Sequence, residues 1–180
     1  MKLRLSYSLI YQWSRGEVDK AIQTYFHMQQ EDNKYMNDGR KIHKEIQDHI
    51  MSKKKMPDWF FRYRFDNPEV EKSVIVPYND LFDIKILLDT YDSGTGFEYK
   101  TGNNDSLVWS RTAQIPIYFL VCNLAKIPLE KVYLMRWNQY NNTKDFVMIW
   151  NTKSAEEHAR NWIDSYGTEI YEHFKSEGLI

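Results

Sequence analysis

Residues 86–102 read ILLDTYDSGTGFEYKTG. Two short runs rich in apolar, β-branched and aromatic residues flank the turn signal YDSGTG, which is the pattern of a β-hairpin. Side chains two apart on a strand share a face, so Glu98 and Lys100 point the same way and Tyr99 points opposite. Folding the hairpin brings Asp89, nine residues upstream, close to Glu98. Two carboxylates held together repel unless a cation lies between them. Mg²⁺ prefers such oxygen ligands and keeps several waters. Once bound, it polarises a phosphodiester oxygen and lowers the pKa of an attacking water, while a neighbouring lysine orients that water or neutralises phosphate charge. The plainer reading of Glu98 and Lys100 is a solvated ion pair worth about 1 kcal/mol or less. The rest of the chain has to decide between the two.

The chain has 180 residues, 42% of them hydrophobic, which is enough for one domain with a real core and excludes general disorder. A net charge of −1 excludes a basic coat for nucleic acid, but it is compatible with an enzyme that holds phosphate through bound cations. Cys122 is the single cysteine, so no internal disulfide and no cysteine set for zinc or an iron–sulfur cluster exists. The opening MKLRLSYSLIYQW is broken by Ser and Gln and does not read as a signal peptide, and no apolar run is long enough to span a membrane. The expectation is a cytoplasmic protein, or one of the host-cell cytoplasm if phage-encoded. The abundance of Asn, Lys, Ile and Tyr points weakly to a phage origin.

The pattern predicts a single domain over 1–180, with N-terminal helices over 1–56, strands and a helix over 57–151, and a C-terminal helix over 152–180. A first helix is expected over 6–30, interrupted at Gly16. A second is entered through Asn37 or Asp38, carries the stripe Ile42, Ile46 and Ile50, and ends in Lys53, Lys54 and Lys55. Strands follow at WFFRYRF (59–65), EKSVIVPY (71–78), DIKILLDTY (83–91) and GFEYKTG (96–102). Residues 104–125 read as one long apolar helix, capped by Asp105 or Ser106 and kinked at Pro116. KVYLMRWN (131–138) and DFVMIWN (145–151) form a hairpin. The last helix starts at Ser154, with Glu157 at capping-box spacing.

Four stretches, in order, carry a resemblance: LSYSLIYQW (5–13), GRKIHKEI (39–46), LLDTYD with FEYKTG, and QIPIY (114–118). Together they resemble the RecB/AddB branch of the PD-(D/E)XK nuclease superfamily. The chain departs from that pattern at Ile86, where the family often has Gly, and at Pro116 inside the Gln-x-x-x-Tyr motif. The cysteines of relatives with an iron–sulfur cluster are absent, so no cluster is implied, and the helicase segments of the large relatives are absent too.

The resemblance implies a restriction-endonuclease-like α/β fold, a mixed central sheet flanked by helices. It implies a metal-dependent DNA nuclease, a single-strand-preferring exonuclease of DNA processing, repair or recombination. Asp89, Glu98 and His43 would hold one or two Mg²⁺ or Mn²⁺ ions. Lys100 would orient or activate the attacking water, and Gln114 and Tyr118 would position Lys100 and the scissile strand. Arg111, read as one helical turn before Gln114, would grip DNA phosphate together with Tyr118. The implied partners are single-stranded DNA ends and a replication or recombination protein. Glu71 is a further candidate carboxylate, with an exposed edge residue as the equal alternative. Asp92 and Asp83 read as turn and strand-end residues. WFFRYRF is either a platform for stacked bases or an aromatic strand packed on a helix. The helices carrying Trp13, Tyr25 and His43 could fold over the site. The rival to catalysis is a nuclease fold retained as a non-catalytic nucleic-acid- or protein-binding module.

Overall fold

A computed structural model describes residues 2–27, 34–52, 54, 60, 63–102, 106–138 and 141–180, and its central strand is the first arm of the hairpin in 86–102. Along the chain run β1 (Leu3–Ser6), α1 (Tyr7–Ser14), α2 (Val18–Tyr25), α3 (Lys34–Met51), β2 (Pro68–Pro77) and β3 (Phe82–Asp92). Then come β4 (Thr95–Thr101), α4 (Ser106–Ser110), α5 (Gln114–Leu124), β5 (Lys131–Asn138), β6 (Thr143–Trp150) and α6 (Lys153–Ser176). The six strands form one mixed sheet.

Strand β2 runs antiparallel along one edge of β3, from Pro77↔Asp83 to Pro68↔Asp92. Two strands share the other edge. Strand β1 is parallel to Phe82–Lys85, and β4 is antiparallel to Thr90–Asp92. Between them, residues 86–89 have no strand partner on that edge, and the sheet forks. Strand β5 lies parallel to β4, and β6 closes the sheet antiparallel to β5.

Helices cover both faces. Leu3, Leu5, Phe82, Ile84 and Leu88 pack with α5 and α6 in the larger core. Helix α5 is apolar all round and buried, as a helix between sheet and outer layer must be. On the opposite face the Ile42, Ile46 and Ile50 stripe of α3 packs with Phe97, Tyr99 and Met135. Among the described residues no helix is long and apolar enough to cross a membrane.

Several boundaries differ from the sequence reading. The chain opens with a strand, not a helix: Leu3 and Leu5 are buried and Arg4 exposed, and the Ser6 hydroxyl then caps α1 by accepting from the Leu9 amide at 3.3 Å. Gly16, at φ +74°, separates α1 from α2 as expected. Helix α2 stops at Tyr25, and α3 starts at Lys34, upstream of Asn37. The long kinked helix is two helices. Pro116 sits third in α5, in the first turn, where its missing N–H costs no intrahelical bond. The amide of Ser106 is capped from β6 by Asp145 Oδ1 at 2.8 Å. Helix α6 is capped by Thr152, whose hydroxyl accepts from the Ala155 amide at 3.1 Å, so Ser154 already lies inside it. Tyr63–Phe65 form no strand; Tyr63 and Phe65 pack on Phe97 of the sheet, ring centroids 4.6 and 5.0 Å away, in the cluster that also holds the α3 stripe. Residues 28–33, Lys53, Lys55, Trp59, Phe61, Arg62 and Asp105 lie outside the described residues.

Helix α6 packs against the sheet at Gly167 with no room for a side chain. A Cβ there would lie 2.7 Å from Phe82 Cζ and 3.0 Å from Leu5 Cδ1. Alanine favours a helix over glycine by about 1 kcal/mol, but overpacking a closed core costs about 1–3 kcal/mol. The second effect should win: Gly167→Ala is expected to lower the urea midpoint of unfolding.

Candidate active site

The fork leaves backbone groups that no neighbouring strand pairs, and side chains take them. Asp89 Oδ2 accepts the Tyr99 amide at 2.7 Å, so a carboxylate stands in for the strand where β4 peels away from β3. The Tyr118 hydroxyl lies 3.0 Å from the Leu87 carbonyl in the same unpaired stretch. Side-chain alternation also slips here. Ile86 and Leu88 belong to the α5 side of the sheet, whereas Thr90 accepts from the Tyr99 hydroxyl, at 3.0 Å, on the α3 side. Across the ladder the same slip separates Val74 from Val70. Glu71 lies between them, opposite Asp89, with φ +50°, a left-handed backbone that costs a non-glycine residue roughly 1–2 kcal/mol.

Glu98 and Lys100 are not a solvated pair. Glu98 is 4% exposed. Its Oε1 accepts from Lys100 Nζ at 2.7 Å and from Gln114 Nε2 at 2.7 Å, and its Oε2 lies 2.9 Å from the Tyr118 hydroxyl. Gln114 Oε1 accepts from Lys100 Nζ at 3.0 Å, and its Nε2 also donates to the Tyr118 oxygen at 2.6 Å. Every atom of the Gln114 amide is thus used in its proper sense. Tyr118 has one proton for two acceptors, Glu98 and Leu87, and serves one at a time.

These groups shift one another. Burial, and then the charge of Glu98, push the Asp89 carboxyl well above the usual carboxylate range, against the pull of the Tyr99 amide and Lys100. Burial draws the Lys100 ammonium down, but the charge and hydrogen bond of Glu98, with Asp89, outweigh it and leave Lys100 above its ordinary value. Burial, with Glu98 and Asp89, raises the Tyr118 phenol. His43, on α3, places Nδ1 3.8 Å from Asp89 Oδ1, and burial holds it below the ordinary imidazole value, which favours the neutral ring with a free lone pair.

The fork therefore gathers Asp89, Glu98, Lys100, Gln114 and Tyr118, with His43 beside them. Among the described residues no three His, Cys, Asp or Glu side chains are already close enough to form a ready-made cage. The donor set still fits a hard divalent cation: two crowded carboxylates, one neutral imidazole, and ligand positions left for water.

Other expected residues lie elsewhere. Arg111 is exposed on the turn between α4 and α5 and does not share a helical face with Gln114. Glu71 is exposed and accepts from Gln47 Nε2 at 3.1 Å, yet its charge reaches Asp89 and His43. Asp92 is buried and accepts the amides of Asp66 and Asn67, both at 2.9 Å, closing the approach to β2. Asp83 faces Lys2 at 3.9 Å, at the far end of β3. Trp13 and Tyr25 do not cover the fork: Trp13 donates to Glu169 at 3.2 Å and Tyr25 packs on Phe174, both of α6.

Sequence reasoning missed a support. Arg136, buried in β5, donates through Nε to Asp145 Oδ2 at 2.7 Å and through Nη1 to the Gly102 carbonyl at 3.3 Å. It ties the end of β4, two residues past Lys100, to the group that caps α4. Its signal was a lone charge inside the apolar run VYLMRWN.

No protein-family model matches the sequence, and no curated protein matches it significantly. Solved structures do match in fold. A putative exonuclease from Eubacterium rectale superposes with a TM-score of 0.63 at 11% identity, over 99% of this chain and 83% of that one. An alkaline exonuclease (LHK-Exo) from Laribacter hongkongensis superposes with a TM-score of 0.59 at 9% identity, over 98% and 93%. The same exonuclease in complex with dAMP gives 0.56 at 10%, over 97% and 93%. The mixed sheet flanked by helices that the sequence implied is the fold observed, and these exonucleases share it.

A carboxyl whose folded pKa is raised binds its proton more tightly folded than unfolded. Its charge therefore weakens the fold above the folded pKa, and that loss fades as pH falls towards the ordinary 3.8. Asp89→Asn keeps an acceptor for the Tyr99 amide and removes the charge. In chelator at pH 8 the variant is expected to melt above the wild type, with the gap closing towards pH 4 in a calorimetric pH series.

Proposed function

We propose that the chain is a divalent-metal-dependent deoxyribonuclease that hydrolyses phosphodiester bonds and works as an exonuclease on single-stranded ends. One observation carries this reading: a buried Glu98–Lys100 pair, fixed by Gln114 and Tyr118, beside an Asp89 whose carboxyl is pushed upward at the fork of the sheet. Perturbed, mutually coupled groups of this kind concentrate at catalytic centres. The fold shared with exonucleases, one of them in complex with dAMP, supports the same class of substrate.

Asp89 and Glu98, with His43, would hold one or two Mg²⁺ or Mn²⁺ ions. A bound ion would supply Lewis-acid polarisation of the phosphate and a more acidic water. Without metal, the charge and hydrogen bond of Glu98 hold Lys100 above its ordinary value, as an ammonium suited to orienting the water. It donates to the water or to the phosphate and offsets developing charge. Gln114 fixes where that ammonium sits, and Tyr118 holds the second oxygen of Glu98. Arg111, on the exposed turn leading into α5, takes a neighbouring phosphate. A net charge of −1 gives little affinity for bulk duplex, which favours engagement of a strand end. A replication or recombination protein in the cytoplasm would present that end.

Glu98→Gln and Lys100→Met should each lower cleavage at least about 100-fold, and the double variant should be no worse than the worse single, because both act on one phosphate. EDTA should abolish activity, and Mg²⁺ or Mn²⁺ restore it. Cleavage that persists in chelator, or in both variants, would sink the assignment. The mode of attack is tested separately in Mg²⁺ with linear single strands, covalently closed single-stranded circles and blunt duplex. Linear strands should be digested first, and rapid loss of the circles would refute exonucleolytic action alone.

A further inference from the structure

Helix α1 opens at Tyr7, directly after Ser6, which pairs with Lys85 at the mouth of the fork. The Tyr7 ring is clamped in place, stacked on Tyr11 at 5.5 Å and on Trp162 at 5.7 Å between centroids. Its hydroxyl is buried and has no hydrogen-bond partner among the described residues; the Thr112 hydroxyl lies near it without the geometry of a hydrogen bond. Phenylalanine would fill the same space without leaving a polar atom unsatisfied. The phenol and the Lys100 ammonium each act on the acidity of the other, and the charge of Glu98 also reaches Tyr7. The unpartnered oxygen is thus within range of the charges of Glu98 and Lys100.

Lys100 shares Glu98 Oε1 with Gln114. Glu98, if it held a divalent cation, would have fewer lone pairs to offer Lys100, and the ammonium would need another acceptor. We propose that Tyr7 is a positioning residue, whose hydroxyl oxygen is the acceptor reserved for the Lys100 ammonium when Glu98 turns to a divalent cation. The inference rests on the nuclease reading of this site. Without metal, Lys100 bonds Glu98 and Gln114. With metal it keeps Gln114, exchanges Glu98 for Tyr7, and presents its charge to the phosphate. Stacking on two rings keeps the acceptor in place beforehand, so little ordering is needed at the exchange.

Tyr7→Phe keeps the ring and removes only the oxygen. In chelator its melting temperature is expected to match or exceed that of the wild type, whereas Tyr7→Ala, which loses both stacks, melts lower. Mn²⁺ binding by calorimetry, without DNA, should weaken about tenfold in Tyr7→Phe, the ordinary weight of a hydrogen bond to a charged group. On a linear single-stranded oligonucleotide its kcat should fall by about the same factor, with KM within about twofold. Mn²⁺ affinity and kcat both within about twofold of wild type would overturn the proposal, and so would a lowered melting temperature, which would assign the hydroxyl to the fold. A wild-type protein that neither binds Mn²⁺ nor cuts DNA defeats the nuclease reading and this inference with it. A wild type that does both, matched by Tyr7→Phe, defeats this inference alone.

Discussion

The bond between the Asp89 carboxylate and the Tyr99 amide sets the geometry of everything around it. An antiparallel ladder would ordinarily continue past Thr90 and Phe97 and satisfy that amide with a main-chain carbonyl. Here a side chain does it, so β4 can diverge from β3 while no buried donor is left orphaned. The divergence opens the sheet in its middle, where helices from both faces reach the same point: α3 brings His43 and α5 brings Gln114 and Tyr118. An ordinary closed sheet would have kept these two layers apart.

What fills the opening is a set of charges that do not neutralise one another. Glu98 is matched by Lys100, but Asp89 is left with the amide of Tyr99 and a neutral His43. Buried negative charge without a full partner is expensive, and the raised Asp89 carboxyl records it. The same logic applies to Glu71, held in a left-handed backbone opposite Asp89, and to Tyr7, with its unsatisfied oxygen. These three sit within one neighbourhood, and each is worse for the fold than an obvious replacement. Local costs of this kind tend to gather at functional sites.

Much of this was legible in the sequence, for specific reasons. The turn signal YDSGTG and the period of two on either side place Asp89 against Glu98, and the i, i+4 spacing of Gln114 and Tyr118 places both on one helix face. The slip in alternation at Asp89 was not legible, because a residue taking left-handed φ in mid-strand is expected to be Gly or Asn, and Glu71 is neither. Strand β1 was hidden for a different reason. Its four residues, LRLS, run without a turn signal into an amphipathic helix, so local pattern favours extending the helix backwards. Pro116 misled by being read within one long run, when the break over residues 111–113 makes it a first-turn residue. Arg136 and Asp145 could not be paired without knowing the β5–β6 register.

The parallel pairing of β1 with β3 bears on the order in which the molecule comes into being. Leu3 finds its partner only at Phe82, across three helices and a strand. Contacts between segments so distant in sequence form late, because the loop between them must be closed first. As the chain is synthesised, its opening residues must wait, unpaired, until β3 exists to receive them. The β2–β3 and β3–β4 hairpins need no such delay. One arm of the fork is therefore built from sequence neighbours and the other from the distant β1, which carries Tyr7 with it. Until β1 pairs, the hairpin that carries Asp89 and Glu98 lacks the second arm of the fork. The site at the fork is thus complete only when contacts local in sequence and contacts distant in sequence have both formed.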